Sequence, residues 1–383
     1  MGSARHVTRQ AVILAGGRGT RLGALTTDTP KPLLDVGGVP FITHLIRHLV
    51  RFGFDDLVLL CGPFAERFRS DLGDGAAFGA SLTFISDEPP AGTGGALNYA
   101  RDVLASEFLM MNGDSFFDFN LLDMVVADDD APWEMRVALR AVDDCGRYGA
   151  VVLDEGRVTA FGEKQASGPG TINAGIYLVK RSVLDTIQSL PCSMETDLIP
   201  ALVERGLVHG RAYSGPFLDI GIPEDFDRAQ TLIPAWQSRP AVLIPADILL
   251  LLREDRPSST EGRFSWVFEA ALAIKRLNDC GVDVFMGVDG PEKVAMMLAN
   301  ELKDTLSALL RDRGAHLDGL YGDSCELVEN LADIAMKVPS GVLIRANTQD
   351  LPCSDILKVL PISKDGSQEI GALIDQAIDL VSG

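Results

Sequence analysis

The sequence predicts an α/β protein of two domains, the first built on a mostly parallel sheet with helices on both faces. Three observations point there. Short, branched apolar runs alternate with stretches of helical spacing. Two of those runs end in Gly16-Gly17 and in Asn112-Gly113-Asp114, and such loops lie beyond the carboxyl ends of parallel strands, where ligands bind. The alternation breaks between Thr231 and Arg239, around Pro234 and Pro240, and then resumes.

The elements follow in order. Ala11–Ala15 (AVILA) is a buried strand by length and branching. Phe41–Phe52 has helical spacing. Asp56–Cys61 and Ser81–Ile85 read as strands, Ala96–Leu104 as a helix, and Phe108–Met111 as a strand. Past the break come a strand at Ala241–Leu252, a helix at Trp266–Cys280, a strand at Val282–Gly287 and a helix at Glu292–Arg313. The expected domains are residues 1–238 and 239–383.

Composition sets the outer limits. A chain of 383 residues corresponds to about two or three domains. With 46% hydrophobic and 23% charged residues it is neither disordered nor fibrous. A net charge of −20 disfavours nucleic acid and anionic membrane as partners. Any phosphate site must then be a local arrangement of Lys, Arg and backbone N–H groups. The six cysteines form no C-x-x-C pair, so a reduced, cytoplasmic chain is expected. Met1–Gln10 is polar and basic and does not read as a leader. Ala241–Leu252 is too short for a membrane helix and contains Pro245 and Asp247.

The strongest signal is Leu14–Leu22, LAGGRGTRL, followed by Pro30-Lys31-Pro32. A strand that ends in glycines lets backbone N–H groups approach an anion closely. Arg18, Arg21 and Lys31 add charge at the same place. The string fits neither the Walker A pattern nor the dinucleotide fingerprint. A tight turn with surface arginines would explain two glycines, but not the whole string. His44 and His48 have the spacing of a zinc pair but lack H-E-x-x-H, and they read as a plain helix face. Ser193-Met194-Glu195-Thr196-Asp197 reads as a capping box that opens a helix through Leu202.

LAGGRGTRL with PKP resembles the signature of the sugar-1-phosphate nucleotidyltransferases. Further matches follow in order: EPPAGTGG from Glu88, NGD from Asn112, FGEK from Phe161, NAG from Asn173 and FLDIGIPED from Phe217. They span residues 11 to about 230. The RYGAV stretch from Arg147 and the DIGIPEDF ending are similar to the D-glycero-α-D-manno-heptose 1-phosphate guanylyltransferases within that family. The resemblance implies a Rossmann-like nucleotidyltransferase domain that joins a nucleoside triphosphate, GTP, to a sugar 1-phosphate and releases pyrophosphate.

It also implies roles. Leu14, Ala15, Gly16, Gly17, Gly19, Thr20 and Gly113 would hold the nucleotide, with Glu88, Gly92 and Thr93 near base and ribose. Arg21 would stabilise pyrophosphate and Lys31 the α-phosphate. Glu163, Lys164, Asn173 and Gly175 would hold the sugar phosphate. Asp114 and Asp219 would bind Mg²⁺, a cation suited to few carboxylates plus phosphate and water. A homo-oligomer is plausible for the family. The same chemistry on UDP-, dTDP- or GDP-hexoses, and a sugar-nucleotide-binding regulator without turnover, are the competing readings.

The second half resembles haloacid-dehalogenase-type heptose bisphosphate phosphatases through Trp266–Phe285 and Gly314–Asp318. The nucleophile position falls on Pro245, which has no nucleophilic side chain. Asp247, the region of Val288 and Asp289, Lys337 and Asp365 are what remains of the expected motifs. The expectation is a phosphatase-like fold without phosphatase activity.

Overall fold

The computed structural model describes residues 7–17, 19–27, 29–127, 131–146, 149–164, 168–245, 271–288, 306–322, 341–345, 357–361 and 370–382. The chain divides into two compact units, one of Thr8–Ala235 and one that includes Trp236–Gly383.

In the first unit, β1 (Gln10–Leu14) is an interior strand of the sheet. Ala11, Val12 and Ile13 are all fully buried, so the strand is apolar on both faces. A small hairpin follows, β2 (Asp35–Val36) with β3 (Val39–Pro40), and then helix α1 (Phe41–Arg51). β4 (Asp56–Leu60), α2 (Ala65–Leu72), β5 (Ser81–Ile85), α3 (Gly92–Tyr99) and β6 (Glu107–Asn112) complete the parallel part. β5, β4, β1 and β6 lie side by side in that order, all parallel, because helices fill the crossovers. The chain moves outward from β1 to β4 and β5, then returns to the other side of β1 as β6. The order therefore reverses beside β1, and a crevice opens there past the strand ends.

The rest of this sheet departs from the mostly parallel expectation. β8 (Met135–Val142), β9 (Gly149–Asp154), β10 (Arg157–Lys164), β11 (Gly170–Lys180) and β12 (Val208–Tyr213) extend it to nine strands. β11 is antiparallel to both β6 and β8, and β10 is antiparallel to β9 and β12; only β12 and β8 run parallel. The sheet is thus mixed. The cause is local: Glu155-Gly156, both at positive φ, joins β9 to β10 in a tight hairpin, which can only be antiparallel. β9 also meets β11 at Ala150–Ile172, so this half curls back on itself.

The core between sheet and helices includes Val12, Val58, Leu97, Met110, Tyr177 and Leu198. Each fully buried aliphatic side chain there contributes roughly 1.5–3 kcal/mol. His44 and His48 belong to the buried face of α1. His44 Nε2 donates to the Val36 carbonyl, 2.9 Å away, and the His48 ring packs between Phe52 and Phe116.

Two short strands set the geometry that matters most. β7 (Ser115–Phe117) pairs antiparallel with β13 (Phe217–Asp219), placing Asp219 opposite Ser115. α4 (Leu121–Val126) follows β7 in the chain, and α5 (Ile199–Glu204) packs against β10 and β12. α6 (Pro223–Gln237) runs through the segment where the sequence pattern breaks, with Pro234 inside it. The helix tolerates that proline near its end, where one lost hydrogen bond matters least, and Gly37 leaves room for the ring. Gln230 fastens α6 to the β2–β3 hairpin, donating to the Asp35 carbonyl and accepting from Gly37 N–H.

Among the described residues the second unit carries a five-stranded parallel sheet. β14 (Ala241–Pro245) is central, with β15 (Asp283–Val288) and β16 (Gly319–Gly322) on one side. β17 (Gly341–Arg345) and β18 (Leu357–Pro361) lie on the other. Helical residues 271–279 and 306–311 and a helix at Ile370–Ser382 accompany it. The helix expected at Trp266–Cys280 is described only from 271 onward, and that expected at Glu292–Arg313 only from 306. Asp247, Asp289, Lys337 and Asp365 lie outside the described residues. Among the described residues no helix is long and apolar enough to cross a membrane.

Candidate active site

The crevice beside β1 is a cleft of about 540 Å³. Its floor is the end of β1 and the glycine loop. Leu14, Gly16, Gly17 and Gly19 line it, together with the half-turned segment that carries Arg21. Gly16 must be glycine: a Cβ there would sit 2.7 Å from the Gly62 nitrogen, on the loop after β4. The two strand-end loops are therefore in backbone contact. Ala15 faces the other way. It is fully buried, and its N–H donates to the Leu60 carbonyl. Thr26 Oγ1 closes the far end of the loop by donating to the Gly19 carbonyl at 3.0 Å. Arg18 lies outside the described residues, as does the Thr20 side chain.

The opposite wall comes from β6. Asn112, Gly113 and Asp114 all line the cleft, and Gly113 N–H donates to the Leu14 carbonyl. The β7–β13 ribbon brings in Asp219, and Ile220 N–H donates to the Asp114 carbonyl at 3.0 Å. Lys31, held between Pro30 and Pro32, points at both acids. Its Nζ is 2.8 Å from Asp114 Oδ2 and 3.7 Å from Asp219 Oδ1. Lys31 is only 7% exposed, and a charge so buried needs such partners. Asp219 Oδ1 also accepts from Gly221 N–H. One cation thus already reaches both carboxylates, and the all-oxygen donor pair suits a hard divalent ion whose other ligands are phosphate and water.

The side of the cleft is α3, which begins at Gly92, earlier than the sequence pattern indicates. Gly94 and Gly95 N–H both donate to the Cys192 carbonyl, so a neighbouring segment holds a glycine-rich turn that helix propensity disfavours. Gly92 and Thr93 line the cleft. Glu88 does not: it is exposed, and its neighbour Asp87 faces the cleft instead.

Glu195 also lines the cleft, and sequence reasoning gave it only a structural role. The cap itself is real. Ser193 Oγ accepts from Thr196 N–H, and Asp197 accepts from Ser193 N–H, opening a π-helical turn at Met194–Leu198 that leads into α5. Since Thr196 and Asp197 complete the cap, Glu195 is left to face the cleft beside Thr93, whose Oγ1 donates to Glu195 Oε2 at 3.4 Å. That spare acid within a capping box was the available signal.

The expected sugar residues are less gathered. Asn173 and Gly175 lie on β11, outside the cleft lining. Asn173 Nδ2 donates to Tyr177 Oη at 2.6 Å, and its Oδ1 accepts from Gly175 N–H, bracing a bulge in the strand. Burial pushes the Tyr177 phenol well above its ordinary range. Gly175, at φ +75°, packs against Asn112, where a Cβ would come 2.7 Å from Nδ2. Glu163 and Lys164 end β10; their side chains lie outside the described residues. Burial also pushes the Cys61 thiol, at the end of β4, up to about 12, marking it as core rather than chemistry.

A glycine loop, two basic side chains and a carboxylate pair converging at a strand-order reversal define a phosphate-handling α/β domain. A family model described as Nucleotidyl transferase matches residues 10–235, more than half the chain, and the chain belongs to that family. It is 35% identical over 224 residues to the mannose-1-phosphate guanylyltransferase of Mycobacterium tuberculosis, covering 57% of this chain and 62% of that protein. It is 36% identical over 230 residues to a probable mannose-1-phosphate guanylyltransferase 2 of Arabidopsis thaliana, covering 57% and 63%. The chain thus spans under two thirds of these relatives' lengths. Among solved structures, HddC from Yersinia pseudotuberculosis matches with a TM-score of 0.53 and 31% identity, covering 58% of this chain and 97% of that one. A second HddC structure, complexed with GMP-PN, matches with a TM-score of 0.52.

Proposed function

We propose that the first unit transfers a guanylyl group from GTP to a sugar 1-phosphate, D-glycero-α-D-manno-heptose 1-phosphate, giving a GDP-sugar and pyrophosphate. The observation that carries the reading is the convergence of Lys31, Asp114 and Asp219 on one point beside the glycine loop. Two anions must meet in line, so catalysis is chiefly positioning and charge neutralisation. Gly16, Gly17 and Gly19 receive the triphosphate on their amides. Arg21 takes up charge on the departing pyrophosphate, and Lys31 charge at the α-phosphorus. Asp114 and Asp219 hold Mg²⁺, which supplies Lewis-acid charge to the phosphate oxygens. Thr93, Asp87 and Glu195 contact the nucleoside or sugar hydroxyls. Glu163 and Lys164 take the sugar phosphate, and Asn173 shapes that side through Gly175.

Guanine is supported by the named relatives and by the neighbour complexed with GMP-PN. The heptose follows from the similarity of RYGAV and DIGIPEDF to that subgroup. A second reading, mannose 1-phosphate, draws on the relatives' names. The second unit is proposed to be a haloacid-dehalogenase-like domain without phosphatase activity, since Pro245 stands at the nucleophile position. The test is pyrophosphate release with GTP, UTP, dTTP and CTP, each against heptose, mannose and glucose 1-phosphates. The proposal expects GTP with the heptose phosphate to give the highest kcat/KM. A preference for mannose 1-phosphate selects the second reading, and nucleotide binding without release in any pairing selects a non-catalytic regulator.

A further inference from the structure

Lys31 occupies the place where a divalent ion must go. Its Nζ touches Asp114 Oδ2 at 2.8 Å and approaches Asp219 Oδ1 at 3.7 Å, the same carboxylate edges that face the cleft. An ammonium and a dication cannot share those oxygens without strong repulsion at close range. We propose that the Lys31 ammonium is a built-in counter-ion that keeps the Asp114–Asp219 pair closed to divalent cations until a triphosphate draws it away. This rests on the metal-pair reading of those two aspartates.

The surroundings make the exchange a coupled one. The lysine side chain is 9% exposed, whereas those of Asp114 and Asp219 are 37% and 27% exposed, so the cation is the buried member of the trio. Leaving the carboxylates without another anion would strand a buried charge. Its stem is fixed as well. Lys31 opens a 3₁₀ turn over Lys31–Leu33 and is flanked by prolines, and a Cβ on Gly19 would lie 2.9 Å from Lys31 Cβ. Only the far end of the side chain can swing, and it swings beside the glycine loop. An anion resting on those loop amides is therefore the nearest new partner. Triphosphate binding releases the carboxylates, and the metal then binds to carboxylates and phosphates together. Metal alone binds weakly, and metal with triphosphate binds strongly.

The test is Mn²⁺ binding to the full chain without nucleotide, read by the electron-paramagnetic signal of free Mn²⁺. The native chain should bind Mn²⁺ weakly. K31M should bind one Mn²⁺ about ten- to a hundredfold more tightly, as expected when a charge-assisted bond no longer competes. K31Q should do the same, and is the variant to read if K31M does not fold. D219N added to either should remove the gain. Equal Mn²⁺ affinity in native and K31M chains, lost in D219N, would overturn the counter-ion role while leaving the metal pair intact. No Mn²⁺ site sensitive to D219N in any of these chains would overturn the metal-pair reading itself.

Discussion

The two units begin alike and end their first strands differently. β1 and β14 are both interior strands of α/β sheets, flanked on each side by parallel neighbours and apolar on both faces. β1 runs into Ala15-Gly16-Gly17, where the backbone opens onto a cleft that Lys31, Asp114 and Asp219 also line. β14 ends on Pro245, with neither a donor N–H nor a nucleophilic side chain. The sheet supplies a place for ligands, and the residues at the strand end decide whether chemistry occurs there.

The largest effect expected on this contrast comes from the carboxylate pair. D114N or D219N should lower the kcat for pyrophosphate release on the order of a thousandfold, measured in steady state. D247N, past β14 in the sequence, should leave that kcat within about twofold, as expected of a residue that takes no part in the first unit's chemistry. A hundredfold loss in D247N would break the contrast.

Next in size is G16A. A methyl group 2.7 Å from the Gly62 nitrogen forces the two loops apart. Such overpacking costs about 1–3 kcal/mol, read in denaturant unfolding, and triphosphate affinity should fall about tenfold, read by calorimetry. E195Q comes below that. Glu195 meets the cap through a long 3.4 Å contact from Ser193 Oγ, which a glutamine oxygen also accepts, so the unfolding midpoint should hold while kcat/KM falls about tenfold from one lost charge-assisted hydrogen bond.

The effect that is smallest at neutral pH, and grows only in alkali, concerns Cys61. Its folded thiol is pushed up to about 12 by burial, above the ordinary 9.0. Above about pH 9 the unfolded chain ionises this thiol and the folded chain does not, so stability should fall as pH rises from 9 toward 12. C61A should flatten that slope in denaturant midpoints measured across pH. An unchanged slope would assign the loss to other groups.

Local signals in the sequence carried further than distant ones. β1, β4, β5 and the glycine loop were legible because runs of branched apolar residues and Gly-Gly act within a few positions. The antiparallel half was not read, since its pairings depend on a hairpin at Glu155-Gly156 and on strands far apart in the chain. α3 begins in glycines because the Cys192 carbonyl holds it, a contact invisible to propensity. Pro234 suggested a break where α6 continues, because packing against Gly37 accommodates the ring. Asp114 and Asp219 were matched by motif; the β7–β13 ribbon is the physical reason they meet. Glu195 was missed because its neighbours made a complete capping pattern without it.

The most direct measurement is a single turnover with GTP labelled at the α-phosphorus, Mg²⁺ and the heptose 1-phosphate. The account predicts that the label moves into the GDP-sugar in native protein and stays in GTP in D219N. Label retained in GTP by native, folded protein across the sugar 1-phosphates, or released as free GMP or GDP, would contradict it.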